Sequence, residues 1–179
     1  MPDGRLVELV DRLPRSSYAG RVYRHQGPGH PPLNAEGARI HGGRWNPKES
    51  FPVLYLAPEE KTVIAEFYRL AERQGMEPAS LLPRRLYRYN VRLGAVLDLT
   101  DDLAREAVRL DSSDLAADDP SKCQAVGDAA HYAGFEAVRA ASAAGPGTVL
   151  AVFMDQLKPE SFVEPIDFIE WDMLPGESG

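Results

Sequence analysis

The hydrophobic pattern changes period several times along the chain, and each change predicts an element. Leu6, Val7, Leu9, Val10 and Leu13 recur at helical spacing, predicting a short helix over residues 5–13. Residues 53–57, Val-Leu-Tyr-Leu-Ala, form an unbroken apolar run rich in β-formers and predict a buried strand. The period returns to that of a helix at Val63, Ile64, Phe67, Leu70 and Ala71. That helix starts at Pro58, Glu59 and Glu60, where proline and acids suit a first turn, and Gly75 ends it just past Arg73. Tyr87, Tyr89, Val91 and Leu93 alternate with polar residues, predicting a strand over 87–93, with a second over 96–99. Asp101 and Asp102 open a helix running to about residue 110, and residues 122–133 form another that Gly134 ends.

Between these lie predicted loops. Residues 26–37 carry Gly27-Pro28-Gly29-His30-Pro31-Pro32 and can border a pocket, which puts His25 at the edge of a loop. Residues 111–120 are acidic and exposed, and Gly145-Pro146-Gly147 turns the chain into the apolar strand 148–154. Residues 160–173 alternate in part and predict an edge strand; residues 174–179 are expected to fray. There are no internal repeats and no linker. Strands scattered among helices of unequal length give one domain, residues 1–179, of α+β class.

Composition narrows the function classes. The 179 residues are 44% hydrophobic and 26% charged, ordinary for a globular domain able to bury a core. One cysteine, Cys123, cannot form an internal disulfide, and the N-terminal acids Asp3, Glu8 and Asp11 do not suit a signal peptide; both favour the cytoplasm. No stretch approaches the roughly 20 apolar residues of a membrane span. A net charge of −7 argues against direct nucleic-acid binding, and Arg84, Arg85 and Arg88 read as the wet face of a strand. His25, His30, His41 and His131 show no metal-ligand spacing, so no metal is expected. There is no Gly-x-Gly-x-x-Gly run after a strand and no P-loop.

The candidate chemistry is concentrated in Gly42-Gly43-Arg44-Trp45-Asn46-Pro47, Tyr55 and Glu66. An arginine fork matches phosphate, and a carboxylate stabilises positive charge developing on a ribose ring. A fixed cation, an aromatic face and a carboxylate therefore suit NAD+. Glu66 lies on the shoulder of its helix's apolar stripe, from which it can look into a cleft. Plainer readings remain beside this one. Arg44 after two glycines can be a surface turn residue, Glu66 can pair with Arg69 one turn on, and Tyr55 can be a core aromatic.

The order and spacing of these residues resemble the RES family, named for an arginine, a glutamate and a serine, most of whose members are bacterial toxins of toxin–antitoxin pairs. The resemblance runs over residues 18–155, through Val22-Tyr23-Arg24, Gly43-Arg44-Trp45-Asn46-Pro47, Leu54-Tyr55-Leu56-Ala57, Val63-Ile64-Ala65-Glu66 and the segment Gly134-Phe135-Glu136-Ala137-Val138-Arg139-Ala140-Ala141-Ser142-Ala143. Two positions depart from the family: Ala141 stands where a proline is frequent, and Thr148 or Val149 where an asparagine is.

The resemblance implies an ADP-ribosyltransferase-like core of mixed and antiparallel strands flanked by helices. It also implies cleavage of the nicotinamide–ribose bond of NAD+, with NAD+ as substrate and no further cofactor. Arg24 and Arg44 would hold the diphosphate and Tyr55 would flank the nicotinamide or its ribose. Glu66 would stabilise the oxocarbenium-like centre, and Ser142 would bond within the nicotinamide pocket. The activity implied is that of an NAD+ glycohydrolase or phosphorylase. Transfer of ADP-ribose to a protein acceptor is the alternative, and an inert partner-binding protein the third. The implied partner is a helix-turn-helix antitoxin.

Overall fold

The computed structural model describes residues 1–176. Its spine is β3 (Arg84–Asp98), a strand of 15 residues that the rest of the sheet shares. Along one side of β3 runs β1 (Ser16–Gln26), antiparallel, from Tyr18 opposite Leu93 to Gln26 opposite Arg85. The other side is divided. Its first part pairs with the antiparallel edge strand β6 (Phe162–Trp171), and its last residues pair in parallel with β4 (Ala137–Ala141). From β4 the sheet continues antiparallel through β5 (Thr148–Phe153) to β2 (Val53–Leu56). Beyond β2, Ala57 and Tyr23 exchange backbone hydrogen bonds of 2.8 and 2.9 Å, so the end of the path returns to β1. The sheet is mixed and helices flank it, as the α+β reading expected.

Two expectations about β3 change. Residues 87–93 and 96–99 are not separate strands, because Gly94 does not interrupt the ladder. The fully buried Glu136 carboxylate accepts the Gly94 and Ala95 N–H groups at 2.9 and 3.0 Å, and that of Lys158 at 3.1 Å. It satisfies backbone donors where β3 passes from one neighbour to the next. The arginines of β3 also divide. Arg85 and Arg88 pair with Glu170 and Asp167 on β6 but, three residues apart, lie on opposite faces of β3 rather than on one wet face, whereas Arg84 turns back to His25.

The helices are α1 (Gly4–Asp11), α2 (Glu36–His41), α3 (Glu60–Arg73), α4 (Asp102–Ala107) and α5 (Ser121–Tyr132). Asp3 and Asp101 cap α1 and α4 by accepting backbone N–H groups two residues on. Helix α4 stops at Ala107, short of the expected residue 110, where Arg109 takes φ 59° and turns the chain. Helix α2, and strands β1 and β4, stand where no element was expected. Their sequences carry little apolar alternation, and pairing to β3 and β5 supplies what local pattern does not. The main core packs Trp45, Phe51, Phe135 and Phe153 with α4 and α5 residues on one face of the sheet. On the opposite face Val22, Leu54, Tyr89, Leu93 and Leu150 form the second core. At the tail, Pro175 is buried and its carbonyl accepts from the Tyr68 hydroxyl at 2.8 Å, so the chain is held there. Residues 177–179 of the segment expected to fray lie outside the described residues.

Candidate active site

A cleft of about 420 Å³ opens where β1, the turn after α2, and α3 meet. It brings together Arg24, Arg44, Tyr55 and Glu66, which the sequence separates by up to 42 residues (66 − 24). Arg69 and Arg73 join them in its wall. Ser142 stands just behind, hydrogen-bonded to Glu66.

The arginines are tethered by backbone carbonyls. Arg24 donates to the Asn34 carbonyl at 2.9 Å, and Arg44 to those of Asp114 and Ala117 at 3.4 and 2.8 Å. Arg69 donates to the Ala143 carbonyl. Carbonyl dipoles orient the guanidinium N–H groups without cancelling the charge. Among the described residues, none of the cleft's four arginines makes an ion pair. Burial draws Arg24 below the ordinary arginine range, while Tyr89, whose hydroxyl donates to the Pro32 carbonyl at 2.6 Å, opposes that. Among the described residues, Glu66 is the one carboxylate in the lining, which also holds four arginines. The excess of positive charge suits an anionic ligand.

Glu66 itself accepts from the Ser142 hydroxyl at 2.8 Å. It does not take Arg69 as partner, so the plainer helix-pair reading fails. Thr62, Glu66 and Arg69, spaced i, i+4 and i+7 on α3, all bond the turn that joins β4 to β5. Thr62 donates to the Pro146 carbonyl at 3.0 Å, and the turn closes with Ser142 N–H to the Gly147 carbonyl at 3.0 Å. Gly147, at φ 92°, lies so close that an added Cβ would meet Thr62 Oγ1 at 2.2 Å. The turn thus engages Oε1 of Glu66 through the Ser142 hydroxyl, and Glu66 lines the cleft.

Tyr55 braces the other wall. Its hydroxyl donates to Asn46 Oδ1 at 2.7 Å and accepts the Trp45 N–H at 2.9 Å, and burial raises its pKa, keeping the phenol neutral. Its ring lies under Gly43, where a Cβ would meet the hydroxyl at 2.4 Å. The hydroxyl therefore organises the turn that carries Arg44, and Tyr55 both lines the cleft and packs against the main core. From the far side Gln124 of α5 donates to the Gly43 carbonyl at 2.9 Å.

Residues 21–173 match the RES domain. The chain belongs to the RES-domain family. Two relatives are the NAD(+) phosphorylases MbcT of Mycobacterium tuberculosis and Mycobacterium bovis. Each is 37% identical over 159 residues, which cover 88% of this chain and 86% of theirs. A probable NAD(+) phosphorylase of M. tuberculosis, Rv3189, is 36% identical over 86% of this chain and 73% of its own. The crystal structure of the M. tuberculosis MbcT–MbcA toxin–antitoxin complex contains a similar fold. Its TM-score is 0.83 at 33% identity, covering 94% of this chain and 93% of that one.

In and behind this RES-domain cleft stand residues to which sequence reasoning gave no role in the site. His25 lies on β1 rather than in a loop, against Phe67 and stacked near Trp171 with centroids 6.0 Å apart. Burial, then the charges of Arg84 and Arg24, lower its pKa to about 3. Arg84 Nε, 3.2 Å away, donates to His25 Nδ1, so the neutral ring carries its proton on Nε2. Gly127 lies in the middle of α5, where a glycine costs helix stability and so signals a close approach. Arg69 and Arg73 follow Glu66 on its own helix, and their spacing was the available signal. Among the described residues, no cluster of three metal-binding side chains occurs, and no helix is long and apolar enough to cross a membrane.

Proposed function

We propose that this RES-domain protein is the NAD+-consuming toxin of a toxin–antitoxin pair and cleaves NAD+ by phosphorolysis, as its relatives' names describe for them. One observation carries the reading: arginines tethered by carbonyls, with no carboxylate partner, face a lone glutamate set by a serine. Arg24 and Arg44 bind the diphosphate. Glu66 stabilises the positive charge that grows on the ribose as the bond to nicotinamide lengthens. Ser142 acts by orienting Glu66, and the Tyr55 ring flanks the nicotinamide while its hydroxyl braces the Arg44 turn. NAD+ is the substrate and no metal is needed: the leaving group is a cationic pyridinium, which departs neutral when it takes the bonding pair.

The whole chain, residues 1–179, acts as one RES-type domain in the cytoplasm, silenced by a helix-turn-helix antitoxin that carries the DNA contacts. The test is purified protein with NAD+, with and without inorganic phosphate, its products resolved by phosphorus NMR. Phosphorolysis gives nicotinamide and ADP-ribose 1″-phosphate. ADP-ribose formed regardless of phosphate would make the protein a glycohydrolase. ADP-ribose attached to a protein, seen only when lysate is added, would make it a transferase.

A further inference from the structure

Phosphorolysis brings two anions into one cleft, the diphosphate of NAD+ and an orthophosphate, and the four arginines divide accordingly. Arg24 and Arg44 stand on β1 and on the turn after α2, whereas Arg69 and Arg73 stand on α3, the helix that carries Glu66. Offsets of three and seven residues put both on the Glu66 side of α3, about 4.5 and 10.5 Å further along its axis. Arg69 is half-buried and fixed by the Ala143 carbonyl; Arg73 is exposed in the last turn, at the mouth. Together they form a graded cationic track that ends beside the glutamate.

We infer that Arg69 and Arg73 bind the attacking phosphate, an inference that rests on the phosphorolysis reading above. A phosphate dianion approaching an ionised Glu66 is repelled, and two guanidiniums on the same helix face offset that repulsion. Arg69, tethered through Nη1, presents the rest of its fork to the anion in the planar arrangement that suits phosphate. In the step itself a phosphate oxygen forms a bond to the anomeric carbon of the nicotinamide ribose. The carbon–nitrogen bond breaks, and its electron pair passes to the pyridinium nitrogen, neutralising it. The products are nicotinamide and ADP-ribose 1″-phosphate, and no oxidant or further reactant is required.

The experiment varies inorganic phosphate at saturating NAD+, and then NAD+ at saturating phosphate, for the parent, Arg69→Gln and Arg73→Gln. Each variant should raise the apparent KM for phosphate by about 10- to 100-fold, the usual worth of a hydrogen bond to a charged group. The KM for NAD+ should stay within about twofold, while the product mixture shifts toward ADP-ribose as water competes. Arg69 also holds the β4–β5 turn, so Arg73→Gln, at an exposed position, keeps the result independent of folding. An unchanged phosphate KM in both variants, with the parent still making ADP-ribose 1″-phosphate, overturns this site alone. An equal rise in both KM values assigns these arginines to the dinucleotide and overturns it too. A parent indifferent to phosphate removes phosphorolysis itself.

Discussion

Gly127→Ala tests how α5 supports the cleft, because two effects of known size oppose each other there. Helix propensity alone makes alanine the better residue in a helix interior by about 1 kcal/mol. Packing says the reverse. A Cβ at Gly127 would lie 1.8 Å from the Trp45 carbonyl oxygen and 2.6 Å from its carbon, both backbone atoms that cannot rotate away. A carbon–oxygen contact needs roughly 3.3 Å, so helix and turn must part by about 1.5 Å. Overpacking of this kind costs about 1–3 kcal/mol, and contact with backbone puts it at the upper end. The net expectation is a loss of about 1–2 kcal/mol, the opposite sign to the propensity rule.

The same displacement moves Arg44, the residue before Trp45, and pulls the Gly43 carbonyl off Gln124. A shift of about 1 Å in a positioning residue can lower turnover roughly 100-fold. Urea unfolding and NAD+ turnover measured on one preparation of the variant give both quantities. A midpoint equal to or above the parent's, with full turnover, would refute the claim that α5 presses on the Arg44 turn.

Other outcomes follow from the same geometry. Glu66→Gln keeps the shape and removes the charge, so NAD+ turnover should drop about 100- to 1,000-fold with the urea midpoint unchanged; near-normal turnover removes Glu66 from the chemistry. Ser142→Ala frees Glu66 and should lower kcat by roughly tenfold while NAD+ affinity holds, since it removes the hydrogen bond to the Glu66 carboxylate and a weaker one, at 3.2 Å, from the Ala144 N–H. His25 is held neutral between Arg84, Arg24 and the aromatic wall, with its pKa near 3 against 6.5 in an unfolded chain. Between those values the unfolded chain binds the extra proton, so stability rises with pH across that window. The loss on acidification is about 1.4 kcal/mol per unit below 6.5, or about 2 kcal/mol at pH 5. His25→Gln should flatten that part of the pH–stability curve, and an unchanged slope would mean the ring titrates freely. An antitoxin that blocks the cleft should place an acidic group or C-terminal carboxylate among the arginines. Trimming its last residues should restore NAD+ cleavage within an intact complex, and full inhibition by the trimmed form would rule that blockade out.

Local pattern by itself determined the elements whose apolar residues repeat at one clear period. Helices α1, α3 and α5 and strands β2 and β5 were legible because Leu6 to Val10, Val63 to Ala71 and residues 53–56 carry a stripe or run that only one backbone geometry can bury. The residue types at Arg24, Arg44, Tyr55, Glu66 and Ser142, with the resemblance they carry, were enough to nominate the chemistry. Strands β1 and β4 were not legible, because Ser16–Gln26 and Ala137–Ala141 owe their extension to partners far away in sequence. Gly94 likewise looked like a break until a buried glutamate 42 residues on satisfied its N–H. Only the tertiary structure decided how the site residues are held. It gave Glu66 to Ser142 rather than to Arg69, tied the arginines to carbonyls instead of carboxylates, and buried His25 in neutral form. It also placed Gly127 against Trp45. Each of these depends on which atoms approach within hydrogen-bond or van der Waals distance across separate elements, and sequence spacing carries no such distances.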